Sequence, residues 1–404
     1  MSKLSKESRP AEPAAPKTRV VVVGGGYAGT MAANHLRLRA AVDITLVNPR
    51  PQFVERIRLH QLAAGTATGT ADYGTLLGRG IRLVVDTATH IDATARRVEL
   101  SSGGALEYDY LIYAVGSTGA TPAAVPGAAE YAFALAELEG AQRLRYALTD
   151  LAPAAPITVV GGGLTGIEAA GELGEQGHPV TLVCGGVLGP SLSEPGRRSV
   201  AKQLAKLGVR VLESATVTEV RWESVVLGDG AVLPSAVTVW TAGFGVPDLA
   251  SRSGLRTDAL GRLLTDETLT SVTDDRIVAA GDAAAPSNQP LRMSCQAAIP
   301  LAAQAANTVL ARIAGTTPDP LNQAFTGQCV SVGRSYGTIQ LARADDTPLN
   351  LYIGGRLAAS VKELVCKGTL WGLRKEAAKP GWYRWLKGGN RPARLGTDEQ
   401  VAVR

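Results

Sequence analysis

Apolar and polar positions follow one another along this chain in an order that occurs twice. Residues 19–23 form a short apolar run, 24–29 a glycine turn, 30–38 a helical pattern and 42–47 a second apolar run. The order returns at 157–160, 161–166, 167–175 and 180–183. Each copy reads as a βαβ unit, and two copies of one unit imply an internal duplication. Between them, residues 81–113 read as short alternating strands bounded by turns, and prolines at 122–126 and 153–156 punctuate the chain. Residues 276–282 (RIVAAGD) are a short strand ending in Gly-Asp, and the Ala-rich stretch 294–311 after it predicts a long helix. From about 325 a strand-rich segment follows, then a basic, Trp-containing tail.

The first turn, Gly24-Gly25-Gly26-Tyr27-Ala28-Gly29, and the second, Gly161-Gly162-Gly163-Leu164-Thr165-Gly166, both satisfy G-x-G-x-x-G between a strand and a helix. Glycine is needed there because a side chain would block the tight turn, the approach of backbone to a pyrophosphate and the packing of helix on strand. The helix N-terminus then offers free N–H groups and a positive dipole end to phosphate. One such match in a Gly-rich chain is weak evidence; two in the same context predict an α/β fold with two Rossmann-like dinucleotide-binding domains and a small C-terminal segment. A carboxylate for the adenosine ribose usually ends the second strand. Here Asn48 stands in the first copy and Cys184 in the second, with Arg197 and Arg198 downstream as candidates to meet a 2′-phosphate or to form a solvated helix face.

Composition narrows the function. The 404 residues are 45% hydrophobic and 19% charged, as in a globular protein of two or three domains. A net charge of +5, with no basic-aromatic cluster before the C-terminus, argues against nucleic acid as a partner. Residues 1–17 read as a disordered leader without the apolar core of a secretory signal, and no run is long enough to span a bilayer. A cytoplasmic protein, soluble or peripheral on the inner face of the membrane, is the expectation. Four cysteines stand far apart with no zinc spacing and no close pair to act as a redox dithiol; the four histidines show no ligand spacing, and no metal is expected.

The segments VVVGGGYAGT, DYLIYAVGS, VVGGGLTGIEAAGEL, VWTAGF and RIVAAGDAA together resemble the two-dinucleotide pyridine nucleotide oxidoreductase flavoproteins, most closely the type II NADH dehydrogenases, over nearly the whole chain after residue 18. The resemblance implies FAD along the first turn, in a domain of residues 18–123 and 272–325, with Ala114 and Gly116 near its pyrophosphate and Gly281 and Asp282 at its ribityl region. It also assigns Arg56 and Ala88 to cofactor binding. It implies NADH or NADPH along the second turn, in a domain of residues 124–271 that includes Gly243. Glu168 is implied at the contact of nicotinamide and flavin. Hydride transfer needs the two rings held together and no catalytic base from the protein.

The electron acceptor implied is a quinone. The family's Ala-Gln-x-Ala-x-Gln helix start is here Cys295-Gln296-Ala297-Ala298-Ile299-Pro300: Gln296 is retained, the second Gln is Pro300, and Gln304 lies one turn on. A soluble acceptor, such as a ferredoxin-like protein or a biosynthetic metabolite, and a nucleotide sensor resembling apoptosis-inducing factor therefore stay open. In the C-terminal segment 326–404, Val361, Leu364, Val365 and Trp371 recur at near-helical spacing, and Trp382, Tyr383 and Trp385 alternate with Arg384 and Lys387. Aromatics interleaved with basic residues suit a membrane surface; a homodimer interface is the alternative.

Overall fold

In the computed structural model, which describes residues 17–119, 125–389, 391 and 395, the first glycine turn joins strand β1 (Thr18–Val23) to helix α1 (Tyr27–Leu36). Strand β2 (Val42–Asn48), the short helix α2 (Leu59–Ala63), β3 (Ile81–Val85) and β4 (Tyr110–Tyr113) follow. Val20, Val21, Val22 and Val23 are all buried, as a parallel strand covered on both faces requires, and β-branched side chains suit that pleated setting. Residues 1–16 and 120–124, which include most of the expected leader and part of the expected domain junction, lie outside the described residues.

The second unit comprises β5 (Ala132–Ala134), β6 (Ile157–Val160), α3 (Leu164–Glu175), β7 (Val180–Val183), β8 (Arg210–Leu212) and β9 (Val237–Trp240). The chain then returns to the first sheet with β10 (Ile277–Ala279). Two five-stranded parallel sheets result, ordered β10-β4-β1-β2-β3 and β5-β9-β6-β7-β8. A three-stranded antiparallel meander precedes the last parallel strand of the repeat in both, at residues 88–107 and 217–234. The duplication read from the glycine turns therefore extends to the whole unit.

The Ala-rich stretch forms helix α4 (Cys295–Ile313), started by Ser294, whose hydroxyl accepts the Ala297 N–H at 3.2 Å. Its buried Ala302, Ala303, Ala305 and Ala306 share a core with Met31, Ala32 and Ala33 of α1, small side chains that let the helices approach closely. Pro300, inside α4, has no N–H for the Gln296 carbonyl, which instead accepts the Gln323 side chain at 3.3 Å. The C-terminal segment then forms an antiparallel sheet of β11 (Gly327–Ser331), β12 (Gly337–Ala342) and β13 (Pro348–Gly355), and helix α5 (Arg356–Ala378).

Helix α5 inverts the usual division of a surface helix. Its inward stripe, Ala358, Lys362, Cys366, Leu370, Leu373 and Glu376, contains two charged residues, while Leu357, Leu364, Val365 and Trp371 are exposed. Glu376 is fully buried and accepts hydrogen bonds from the Gly381 and Tyr383 N–H groups at 2.6 and 2.7 Å, with His35 Nδ1 at 2.6 Å. It fixes the exit of the tail that continues to residue 389. Glu376→Ala orphans both N–H groups and is expected to destabilise the protein by roughly 3 kcal/mol. Thermal or urea denaturation checks this; a variant as stable as the parent contradicts it.

Candidate active site

The two glycine turns do the same three jobs. A Cβ on Gly24 would collide with the Ala114 carbonyl, and one on Gly161 would stand 2.6 Å from Thr241 Oγ1; both residues have positive φ, 101° and 122°. A Cβ on Gly29 or Gly166 would collide with the carbonyl of Gly24 or Gly161, so these close the turn against its own helix. Gly26 and Gly163 have open space where a Cβ would project, and as N-caps of α1 and α3 they place no side chain over the helix N–H groups. That is a cradle shaped for a phosphate at each helix N-terminus.

One cavity of about 1450 Å³ joins the two cradles. Gly24, Gly25, Gly26, Tyr27, Ala28, Asn48, Arg56, Ala88, Ala114, Gly116, Gly281 and Asp282 line its first-unit side, and Gly163, Leu164, Thr165, Glu168 and Gly243 its second-unit side. Gln296 lines it from the start of α4. Across the first side, the Arg56 guanidinium donates to the carbonyl and hydroxyl of Ser117, and the Ser117 hydroxyl donates to Asp282 Oδ2 at 2.6 Å. Asp282 sits in a one-turn 3-10 helix, Gly281–Ala283, while Ser294 caps the long helix.

Beside the second turn of α3 the cavity wall holds a buried charged cluster drawn from four elements. Lys362 Nζ donates to Glu168 Oε1 at 2.8 Å and to the Cys329 carbonyl at 3.4 Å. The Ser331 N–H and hydroxyl donate to the same carboxylate oxygen at 3.2 and 3.4 Å, and His60 Nδ1 stands 3.7 Å from Glu168 Oε2. Burial pushes the Glu168 carboxyl up, but Lys362, His60 and the Ser331 N–H together outweigh it and hold Glu168 below its ordinary value. Burial likewise works against the Lys362 ammonium, and Glu168 reverses the outcome, leaving Lys362 raised. His60 is lowered by burial to about 4, so its imidazole is neutral near pH 7.

Several expectations are corrected by this geometry. Gly29, Gly161, Gly166 and Cys184 are not on the cavity wall: the glycines pack inside the turns, and the Cys184 side chain stands against Gly162. Asn48 lines the cavity, but its oxygen accepts the Gly25 N–H at 2.9 Å and its amide donates to the Arg50 carbonyl, so it braces the turn itself. Arg198 pairs with Glu194 on an exposed helix face, and neither Arg197 nor Arg198 reaches the cavity. Gln304 does not substitute for the missing second Gln, because its side chain turns to the Pro300 carbonyl and the Asn322 N–H and is absent from the wall.

Other wall residues carry no motif. Cys295, Cys329 and Cys366, distant in sequence, all line this cavity. Burial raises all three, Cys295 to about 11 and Cys366 to about 12, so they are neutral thiols rather than nucleophiles. Lys362 and the role of His60 were missed for the same reason: each meets Glu168 only through the tertiary fold. The one local signal was a lysine and a glutamate at four-residue and three-residue steps along the same stripe of α5 as Ala358, Cys366, Leu370 and Leu373.

The arrangement places two phosphate cradles on one cavity, with a buried ion pair on its wall. Comparison with known proteins gives the family and the fold. Residues 18–307 match the pyridine nucleotide-disulphide oxidoreductase family. An NADH dehydrogenase-like protein of Mycobacterium tuberculosis is 34% identical over 323 residues, covering 72% of this chain and 80% of that protein. The type II NADH:quinone oxidoreductase Ndh of the same organism is 28% identical over 380 residues, covering 82% and 81%. Among solved structures, NDH2 of Plasmodium falciparum in complex with NADH superposes with a TM-score of 0.76 at 17% identity, covering 91% of this chain and 99% of that one. The sulfide:quinone oxidoreductase of Aquifex aeolicus gives 0.78 at 21% identity, covering 90% and 93%.

Proposed function

As an oxidoreductase that belongs to the pyridine nucleotide-disulphide oxidoreductase family and is NADH dehydrogenase-like, this protein, we propose, holds FAD along its first glycine turn and a nicotinamide nucleotide along its second, and delivers electrons to a quinone. The observation that carries the reading is one cavity that joins both phosphate cradles and is lined also by Glu168 and Lys362. The fit to a flavin dinucleotide rests on the open space at Gly26, the bare N-terminus of α1 and the Arg56–Ser117–Asp282 network along the wall. When bound, the flavin supplies the relay between a two-electron hydride donor and the acceptor.

The protein's own contribution is position and electrostatics. Gly163 leaves room for a nucleotide pyrophosphate at α3, and Thr165 and Glu168, on the cavity wall along the same helix, would hold the rest of the nucleotide. Glu168 and Lys362 keep that end of the cavity polar yet electrically balanced. The family's disulphide chemistry has no counterpart in α2, and all four cysteines are free. On the acceptor side, Ile299, Pro300, Val361, Val365, Trp385 and Leu386 give the wall an apolar character that suits a quinone ring.

The exposed apolar face of α5, with Leu357, Leu364 and Trp371 beside Lys375, supports attachment to the inner face of the cytoplasmic membrane. A homodimer through this face is the competing use of it. Among the described residues no helix is long and apolar enough to cross a membrane. A soluble acceptor is the second functional reading, favoured by Pro300 in the second Gln position and by Gln304 facing Asn322.

Gln296 tests the acceptor assignment. Its side chain is held between Arg292 at 3.3 Å and Thr326 at 2.9 Å while facing the cavity. Gln296→Leu is expected to slow flavin reoxidation by a soluble quinone analogue by about tenfold, the weight of one hydrogen bond, with flavin reduction by nicotinamide nucleotide unchanged. Equal losses in both half-reactions would remove Gln296 from the acceptor site.

A further inference from the structure

The side chain of Gln296 ends in an acceptor and a donor, and its neighbours decide which of them is left for the cavity. Oε1 accepts from Arg292 Nη2 at 3.3 Å, and Nε2 donates to the Thr326 hydroxyl at 2.9 Å. A guanidinium carries only donors, so the amide oxygen must be the atom that faces Arg292, and the NH₂ group takes the other position. Thr326 engages one of the two Nε2 hydrogens; the other has no acceptor among the described residues. Gln296 is half-buried and lines the cavity, and Thr326 beside it lines the same wall and is exposed, so this end of the side chain is open.

Arg292 can impose this orientation because it is itself fixed. It stands in the segment that leads into α4, and Asp346, in the turn between β12 and β13, accepts from its Nε at 2.6 Å and its Nη2 at 3.0 Å. That two-point pairing matches a planar guanidinium to a carboxylate and leaves the fork one orientation. The buried Phe325 ring lies against the guanidinium, with its centroid 5.5 Å from Cζ. Nη2 therefore bridges Asp346 to the amide oxygen of Gln296. We infer that Arg292 and Asp346 are positioning residues for the electron acceptor: they clamp the Gln296 amide with its NH₂ toward the cavity, where it donates to a carbonyl oxygen of the acceptor. A quinone carbonyl offers the lone pair that this donor requires, whereas a group that brings only N–H or O–H hydrogens finds no partner at that point.

The inference rests on the reading that the acceptor is a quinone, and a double-variant cycle separates the two. Oxidised, flavin-loaded parent, Arg292→Met, Gln296→Leu and the double variant are titrated with a soluble naphthoquinone analogue. Binding is read from quenching of tryptophan fluorescence, to which Trp385 on the cavity wall contributes. The same proteins are then reduced anaerobically with one equivalent of dithionite and reoxidised by the analogue at subsaturating concentration. Gln296→Leu should weaken both readouts by about tenfold, the weight of one hydrogen bond. Arg292→Met should weaken them by about three- to tenfold in the parent and by less than about twofold in the Gln296→Leu protein, where the clamp has nothing to hold. Asp346→Asn loosens the same clamp while suiting the backbone there, whose φ is 75°, and should fall between the parent and Arg292→Met. Losses that multiply across positions 292 and 296 overturn the positioning role and leave the quinone reading in place. Parent-like binding and reoxidation in Arg292→Met, or in Asp346→Asn where Arg292→Met does not fold, has the same meaning. A parent whose reduced flavin the analogue fails to reoxidise overturns the quinone reading and the inference with it.

Discussion

Gly26→Val should yield folded protein without flavin, and Gly163→Val should yield protein that keeps its flavin yet loses reduction by nicotinamide nucleotide by more than about 100-fold. Both glycines have φ of −73° with extended ψ, a backbone any residue adopts, and a Cβ on either meets nothing within 4 Å. The valine side chains therefore leave the turn through open space at Cβ. They occupy the open side of each helix N-terminus, where charge-assisted bonds from N–H to phosphate form, and two such bonds at ~1.5 kcal/mol each account for the 100-fold. The flavin absorbance of the purified variants and the rate of flavin bleaching report the two sites separately. A Gly163→Val protein reduced at the parent rate would remove the second turn from nucleotide binding. The neighbouring Gly29 and Gly166 could not serve, because a Cβ there strikes the carbonyls of Gly24 and Gly161 and damages the fold itself.

Lys362→Met is the second large effect. It removes the ammonium that donates to Glu168 at 2.8 Å and leaves a buried carboxylate facing a neutral His60 and the two donors of Ser331. Breaking a buried pair in this way is expected to destabilise the protein by about 3–5 kcal/mol near neutral pH. The pH dependence should also change sign. In the parent, Glu168 lies below its ordinary value, so its contribution is present above the unfolded carboxylate value and lost only as pH falls through the lower folded one. Without Lys362, burial dominates and Glu168 rises above the unfolded value, so stability falls as pH rises through the new folded value. Melting temperatures between pH 5 and 8 should then decline for Lys362→Met and not for the double variant Lys362→Met/Glu168→Gln, which buries no charge at these positions. Parallel profiles for the single variant and the parent would show that Lys362 and Glu168 are not energetically coupled.

What was legible in the chain is what depends on local backbone demands. Glycine at 24, 26 and 29, and again at 161, 163 and 166, answers geometric needs within a single turn, so spacing alone located both cradles. The Ala-rich helix and the Gly281-Asp282 strand end were readable for the same reason. The charged cluster was not, because His60, Glu168, Ser331 and Lys362 come from four separate elements and no pattern along the chain joins them. Partners within the fold were not readable either: Asn48 lines the cavity while its oxygen accepts the Gly25 N–H, Arg198 takes the solvated-face alternative beside Glu194, and Gln304 takes the alternative without an acceptor role, bonded to Asn322. The stripe of Val361, Leu364, Val365 and Trp371 divides in the fold: Val361 and Val365 line the cavity, Leu364 and Trp371 are exposed, and Lys362 and Glu376 lie inward against ordinary polarity.

In the proposed reaction electrons pass from a nicotinamide nucleotide through a bound flavin to a quinone in one cavity. Anaerobic stopped-flow absorbance tests it most directly, by mixing the purified protein with one equivalent of NADH or NADPH and then with a soluble menaquinone or ubiquinone analogue. Bleaching of the flavin band by at least one nucleotide and its full return on addition of quinone are expected. A flavin that neither nucleotide bleaches, or one that is bleached and then stays reduced in the presence of quinone, would contradict the proposed reaction.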